Sequence, residues 1–340
     1  MPKTNRAVII WLIAVCLTVF CMVVVGGITR LTESGLSMVN WHPLVGIVPP
    51  MTELEWQAEF DTYKAFPQYQ KVNTGMSLDE FKNIFYWEYG HRVLGRLVGV
   101  VFLVPFIVLF ITGKIGKPLV PKLVVGLALG GLQGLMGWYM VKSGLVDIPR
   151  VSHYRLAAHL LLALLILGYL SWLVFSLWQV KLVKVQQGFR NMTYLFMFVL
   201  VLQLLYGALV AGSRAGYGYN TFPLMNGDFI PSLAFQHNPF WMNFLDNNAM
   251  LQFLHRWIGV LVLLMAAMLY YLSRPEVRFV TLTLLLAILA QFLLGVVTLI
   301  NVVPISLASI HQAGACIVLV MTIFLLYVTQ AGHRIENIDP

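Results

Sequence analysis

Apolar residues do not alternate along this chain; they form eight long runs, near 8–29, 87–111, 120–141, 154–178, 193–212, 249–272, 278–300 and 306–329. About 20 helical residues cross a hydrocarbon core. Lipid offers no water to an unpaired backbone group, so each run predicts a transmembrane helix. The expected fold is therefore all-α and integral to the membrane. No small-x-small cleavage site follows the first run, WLIAVCLTVFCMVVVGGI, and seven more runs come after it. That run is expected to be retained as a span and not removed as a signal peptide.

The runs fall into two sets of four. EYGHRVLGR at 88–96 and QFLHRWIG at 252–259 place Glu88, His91, Arg92 and Gly95 against Gln252, His255, Arg256 and Gly259. Gln133 and Gly137 in the third run match Gln291 and Gly295 in the seventh, and LAAH at 156–159 matches ASIH at 308–311. Anchors recurring in one order are the mark of an internal duplication. A looser likeness sets Gly26 or Gly27 to Arg30 against Gly207 to Arg214. Each copy holds an even number of spans, so the copies share one orientation about an axis along the membrane normal. The expected architecture is two parallel-repeat four-helix bundles, residues 1–180 and 181–340, with the N and C termini inside.

The polar residues lie mostly between the runs. Long outer loops are expected at 30–86 and 213–248; in the first, MTELEWQAEFD and MSLDEF each suit a short surface helix, the former with Trp56 and Phe60 one turn apart. Such loops either cover a site or merely connect spans.

Composition and charge sharpen this picture. With 59% hydrophobic and 11% charged residues, the 340-residue chain lacks the charged surface of a soluble protein. With the N terminus inside, the inner segments hold Lys3, Arg6, Lys114, Lys117, Lys122, Lys181, Lys184, Arg190, Arg274, Arg278 and Arg334 against Glu276, Glu336 and Asp339 alone. Basic inner loops fit the positive-inside rule. The net charge of +8 thus reports topology and not nucleic-acid binding. Cys16, Cys21 and Cys316 all fall inside apolar runs, which excludes a disulfide framework in the outer loops.

His91, His159, His255 and His311 fall near the outer ends of the second, fourth, sixth and eighth spans, at one shallow depth. An imidazole in lipid needs a partner inside the bundle. Each taken alone is as well explained by an interhelical hydrogen bond. The duplication favours facing pairs that ligate haem iron, His91 with His159 and His255 with His311. Zinc would call for closely spaced ligands such as H-E-x-x-H, which are absent; copper stays open but lacks clustered Met-His motifs.

Arg92, Arg96, Arg155 and Arg256 sit beside the histidines, where a guanidinium either holds a propionate or snorkels to headgroups. Gly90, Gly95, Gly99 and Gly259 either admit a macrocycle or serve close helix packing. One difference between the copies is chemical: Glu88 lies one turn before His91, and Gln252 holds the matching place before His255. A carboxylate there could relay protons where an amide could not, marking the first half as the reaction site. The plainer alternative is an ion pair with Arg92, four residues on.

At this point the sequence is recognisable as similar to the haem A synthase family, in its proteobacterial and mitochondrial branch. The resemblance rests on VVVGGITRLTESGLSM at 23–38, WHPLVGIVPP at 41–50, WEYGHRVLGR at 87–96, QGLMGWYMVKSGL at 133–145, HYRLAAHL at 153–160, AGSRAGYGYNTFPLMNG at 211–227, QFLHR at 252–256, LGVVTLI at 294–300 and IHQAGA at 310–315. It implies an oxidoreductase that converts haem O to haem A for cytochrome oxidase by oxidising the C8 methyl to a formyl group through successive hydroxylations. By the same resemblance His91 and His159 bracket haem O in the N-terminal half, His255 and His311 ligate haem b in the C-terminal half, and Glu88 is the family's essential carboxylate.

Members of another branch carry a cysteine pair in the first outer loop; here residues 30–86 hold none, so packing alone must order that loop. The resemblance also implies a bacterial inner membrane with the haem sites toward the periplasm. It further implies a substrate whose farnesyl tail lies in lipid or between helices, haem O synthase as a partner, and an electron donor the sequence does not identify. The rival readings are a non-catalytic dihaem electron carrier, which has no need of Glu88, and a transporter, which would want polar groups through the full membrane depth. Homo-oligomer formation is left open.

Overall fold

The computed structural model describes residues 6–39, 48–144 and 150–330. The 41–47 part of the WHPLVGIVPP motif and the charges Lys3, Arg334, Glu336 and Asp339 lie outside the described residues. Among the described residues eight helices are long and apolar enough to cross a membrane: α1 (Arg6–Leu31), α4 (Leu78–Ile111), α5 (Val120–Gly144), α6 (His153–Leu177), α7 (Gln187–Ser213), α9 (Asn248–Leu272), α10 (Pro275–Ile300) and α11 (Ile305–Val328). Three shorter helices, α2 (Glu53–Lys64), α3 (Pro67–Lys71) and α8 (Asn243–Asp246), lie in the loops. The fold is all-α and largely membrane-embedded.

Two boundaries differ from the hydropathy pattern for identifiable reasons. The segment MSLDEF is not a separate surface helix; it forms the first turns of α4, which starts at Leu78 and not at 87. A capping box sets that start: the Ser77 hydroxyl accepts from the Glu80 amide, and the Glu80 carboxylate accepts from the Ser77 amide. Likewise α7 begins at Gln187, ahead of the apolar run at 193. The acidic segment forms α2 under its own capping box, Thr52 with Glu55.

Helices α1, α6, α7 and α11 form the middle of the molecule, with α4 and α5 against one side and α9 and α10 against the other. One apolar cluster joins Trp11, Leu12, Phe102, Leu167, Leu170 and Leu319, and a second joins Phe196, Leu200, Leu269, Leu284 and Leu325. In lipid such packing gains little from hydrophobicity, so close van der Waals fit and polar ties carry it. The ties include Trp11 Nε1 to the Val101 carbonyl (2.8 Å) and Gln312 Nε2 to the Val23 carbonyl (2.9 Å).

At Gly168 the fit between α6 and α11 is tight enough that a methyl group would stand 2.7 Å from Ile323 Cδ1. Gly168→Leu is expected to destabilise the protein by about 1–3 kcal/mol through overpacking. Thermal melting in detergent measures this, and an unchanged midpoint would contradict it.

Among the described residues between α1 and α4, an aromatic cluster brings Trp56, Phe60 and Tyr63 against Phe81 and Phe85 of α4. Phe60 stacks on Phe81 with centroids 5.0 Å apart, and Tyr63 does so at 5.1 Å. The second outer loop is held by amides: Asn247 caps α9 through the Ala249 and Met250 amides, and the buried Asn243 donates to the His237 and Phe240 carbonyls.

Candidate functional site

One cavity of about 1920 Å³ reaches across both halves and is lined by His91, His159, His255 and His311. Each ring rests against a glycine on a neighbouring helix. A methyl group at Gly26 would stand 2.9 Å from His91 Cε1, and at Gly137 3.1 Å from His159 Cε1. In the second half the figures are 2.9 Å for Gly207 against His255 and 2.8 Å for Gly295 against His311.

Geometry thereby corrects the register between the first and fifth spans. Gly26 corresponds to Gly207, and the residue seven positions further on is Glu33 in one copy and Arg214 in the other. Both adopt the left-handed conformation (φ 56° and 62°), and they pair with each other at 2.6 Å. Arg30 is not the counterpart of Arg214; it donates to the Ala211 carbonyl at 2.6 Å.

The Nδ1 atom of each of the four rings is covered by protein, and the backbone of Gln203 and Gln291, each four residues before its glycine, faces His255 and His311. Among the described residues no three His, Cys, Asp or Glu side chains cluster as a metal-ion site. Paired imidazoles on a largely apolar cavity are the donor set of a bis-histidine haem. The volume exceeds the roughly 300–1,000 Å³ of an ordinary small-molecule pocket, which suits more than one macrocycle.

Glu88 is 2% exposed and fully engaged. Its Oε2 accepts from the Ser37 hydroxyl and the Met38 amide, both at 2.8 Å; its Oε1 accepts from Arg92 Nη2 at 2.5 Å and Nε at 3.0 Å. Arg92 donates in turn to the Met38 carbonyl at 2.7 Å. The i,i+4 ion pair is therefore present, and it clamps the 34–38 segment onto α4.

The second copy builds the same clamp with opposite polarity. Gln252 Nε2 donates to the Ala215 and Gly218 carbonyls at 3.0 and 2.6 Å, while its Oε1 accepts from Arg256 at 2.9 Å. The first loop presents donors and meets an acceptor-only carboxylate; the second presents carbonyls and meets an amide. Arg256 also donates to the carbonyls of Tyr219 and Thr221, so its terminal nitrogens hold the loop and are not turned to a propionate. Arg96 lines the cavity, as does Arg155, whose guanidinium stacks over Tyr139 at 4.8 Å.

The halves also differ in enclosure. On α4 and α5 the cavity is lined by residues open to the surroundings, among them Val100 (54% exposed), Leu103 (41%) and Val104 (53%). Of the lining residues on α9 and α10, Asn248 at the start of α9 is exposed and the others are buried or half-buried.

The sequence pattern of the cytochrome oxidase assembly protein family, COX15-CtaA, matches residues 9–323. The chain is 48% identical over 315 residues to the haem A synthase of Parvibaculum lavamentivorans, covering 92% of each. It is 46% identical over 320 residues to that of Nitrosospira multiformis, covering 92% of this chain and 90% of the relative. Against the haem A synthase of Flavobacterium psychrophilum it is 40% identical over 334 residues, covering 96% and 98%. With likeness over nearly its whole length, the chain belongs to the COX15-CtaA family, which holds these haem A synthases.

Proposed function

We infer that this membrane protein is a haem A synthase, an oxidoreductase that converts the C8 methyl of haem O to the formyl group of haem A. Its two four-helix halves have separate tasks. His91 and His159 hold the substrate in the first half; His255 and His311 hold a resident haem b in the second. The observation that carries this division is the enclosure: the α4–α5 side of the cavity is open, and the α9–α10 side is covered along the helices, with Asn248 alone of its lining exposed at the start of α9. A substrate must enter and leave, whereas a resident cofactor is best sealed in. When bound, haem b supplies electron transfer between the donor and the substrate site.

The chain's own residues bind and orient. The glycines at 26, 137, 207 and 295 fix how far each imidazole stands from its helix neighbour. Glu88 is a positioning residue: it holds Arg92 and closes residues 34–38 over the first site, which keeps water from the reacting edge. Arg96 is assigned to the carboxylates of the macrocycle.

Basic inner segments put both termini inside, which directs the histidine end to the periplasmic side of a bacterial inner membrane. Substrate transfer from haem O synthase and reduction by a respiratory donor complete the cycle.

Extracting haem from purified variants tests the division. H255A and H311A are expected to lose haem B, whereas H91A and H159A should keep haem B and lose bound haem O and haem A. Loss of haem B from the first pair of variants and its retention in the second is required; the reverse result would overturn the assignment.

A further inference from the structure

We propose that the groove between α4 and α5 is the seat of the substrate's prenyl tail and its way in from the bilayer. This rests on the reading of the first half as the haem O site.

The duplication reveals the groove. Aligning Gln133 with Gln291 sets Gly126, Gly130, Gly131 and Gly134 of α5 opposite Leu284, Ile288, Leu289 and Phe292 of α10. One copy has been emptied of side chains where the other is filled. In the second half Phe292 closes the space, lying 3.8 Å from where a Gly259 methyl would stand and edge-on to Phe222 at 5.9 Å. In the first half a methyl group at Gly130, Gly131 or Gly134 would meet nothing within 4 Å, and the same holds for Gly99 across the gap on α4.

Small residues on a helix face ordinarily mean that a neighbouring helix packs there. Here a methyl group at three of the four glycines would meet nothing, and the empty face opens directly into the cavity lined by His91 and His159. The groove has ends. At its lower limit a methyl at Gly126 would touch Phe102 at 3.4 Å, and at its upper limit Gly137 carries the His159 ring. Eleven helical residues separate the two glycines, about 16 Å of rise, enough to lay out a chain of isoprene units beside the helix. Its α4 wall is Val100, Leu103 and Val104, all apolar and all exposed.

An apolar trough that starts beside the substrate histidines and is open to lipid along its length suits a macrocycle bearing a long hydrocarbon tail. The macrocycle reaches the histidines while the tail stays in an environment like the one it came from. A lipid acyl chain has the same chemistry and is the alternative occupant.

The test refills the groove with the residues of the other copy. Purified protein carrying its second-half haem is titrated with haem O and with tail-less haem B, and binding at the first half is followed by absorbance. G130I/G134F is expected to weaken haem O by about ten-fold or more, since several methylenes lose their cover. Haem B binding at the same site should change less than about two-fold. Equal weakening of both haems would show that the glycines make room for the ring. No weakening of either would leave the groove to lipid; both results overturn the proposal.

Should the double variant lose the second-half haem spectrum, L103W, which narrows the groove from α4, must give the haem O-selective loss or the proposal falls. H159A is titrated in parallel: undiminished haem O binding there would refute the site assignment itself, whatever the tail does.

Discussion

Glu88→Gln is expected to open the first outer loop and lower turnover by at least about a hundred-fold. The buried Arg92 guanidinium would lose its counter-charge, and breaking one side of a buried ion pair costs about 3–5 kcal/mol. Shape is preserved in this variant but polarity is not. Whichever way the new amide group turns, it sets a donor against the Met38 amide or against Arg92, neither of which can accept. The mirror variant Gln252→Glu sets a carboxylate against the Ala215 and Gly218 carbonyls and should release the second loop and its haem. Limited proteolysis and haem retention measure both effects. If E88Q keeps wild-type protease resistance yet loses turnover, the carboxylate acts on the chemistry directly and the positioning role is wrong.

The second large effect is expected at the glycines beneath the rings. A methyl group at Gly207 or Gly295 would press on His255 or His311 at under 3.0 Å, so the imidazole or its helix must give way. Overpacking of this kind costs about 1–3 kcal/mol, which is roughly ten- to a hundred-fold in haem affinity. G207A and G295A should therefore lose haem B on dilution while haem O binding persists, and G26A and G137A should do the opposite. Titration of each haem by absorbance separates the cases. Loss of both haems from every variant would mean the glycines serve the fold in general and not the individual rings.

The membrane-spanning fold and the candidate residues are legible in the sequence. The eight apolar runs, the paired histidines and the matched Glu88 and Gln252 follow from hydropathy and repetition, which depend on local residue identity. The start of α4 was misplaced because Asp79, Glu80 and Lys82 break the apolar run; the capping box at Ser77 was the better signal there. The Gly26–Gly207 correspondence was blurred because the arginines that follow stand at different spacings. The meaning of the Glu88–Gln252 difference depends on whether the facing loop offers donors or carbonyls, and backbone direction is invisible in a list of residue types. The α5 groove emerges only when the two copies are laid side by side, since Gly130, Gly131 and Gly134 look like ordinary packing glycines within one helix.

The contact between Glu33 and Arg214 has a wider meaning. These residues stand seven positions after Gly26 and Gly207, the glycines that face His91 and His255, and they meet each other. Two first halves brought together in this way would oppose carboxylate to carboxylate, and two second halves guanidinium to guanidinium. The partly exposed pair adds little to stability. Like charges so placed would disfavour the pairing of either set of four helices with its own kind.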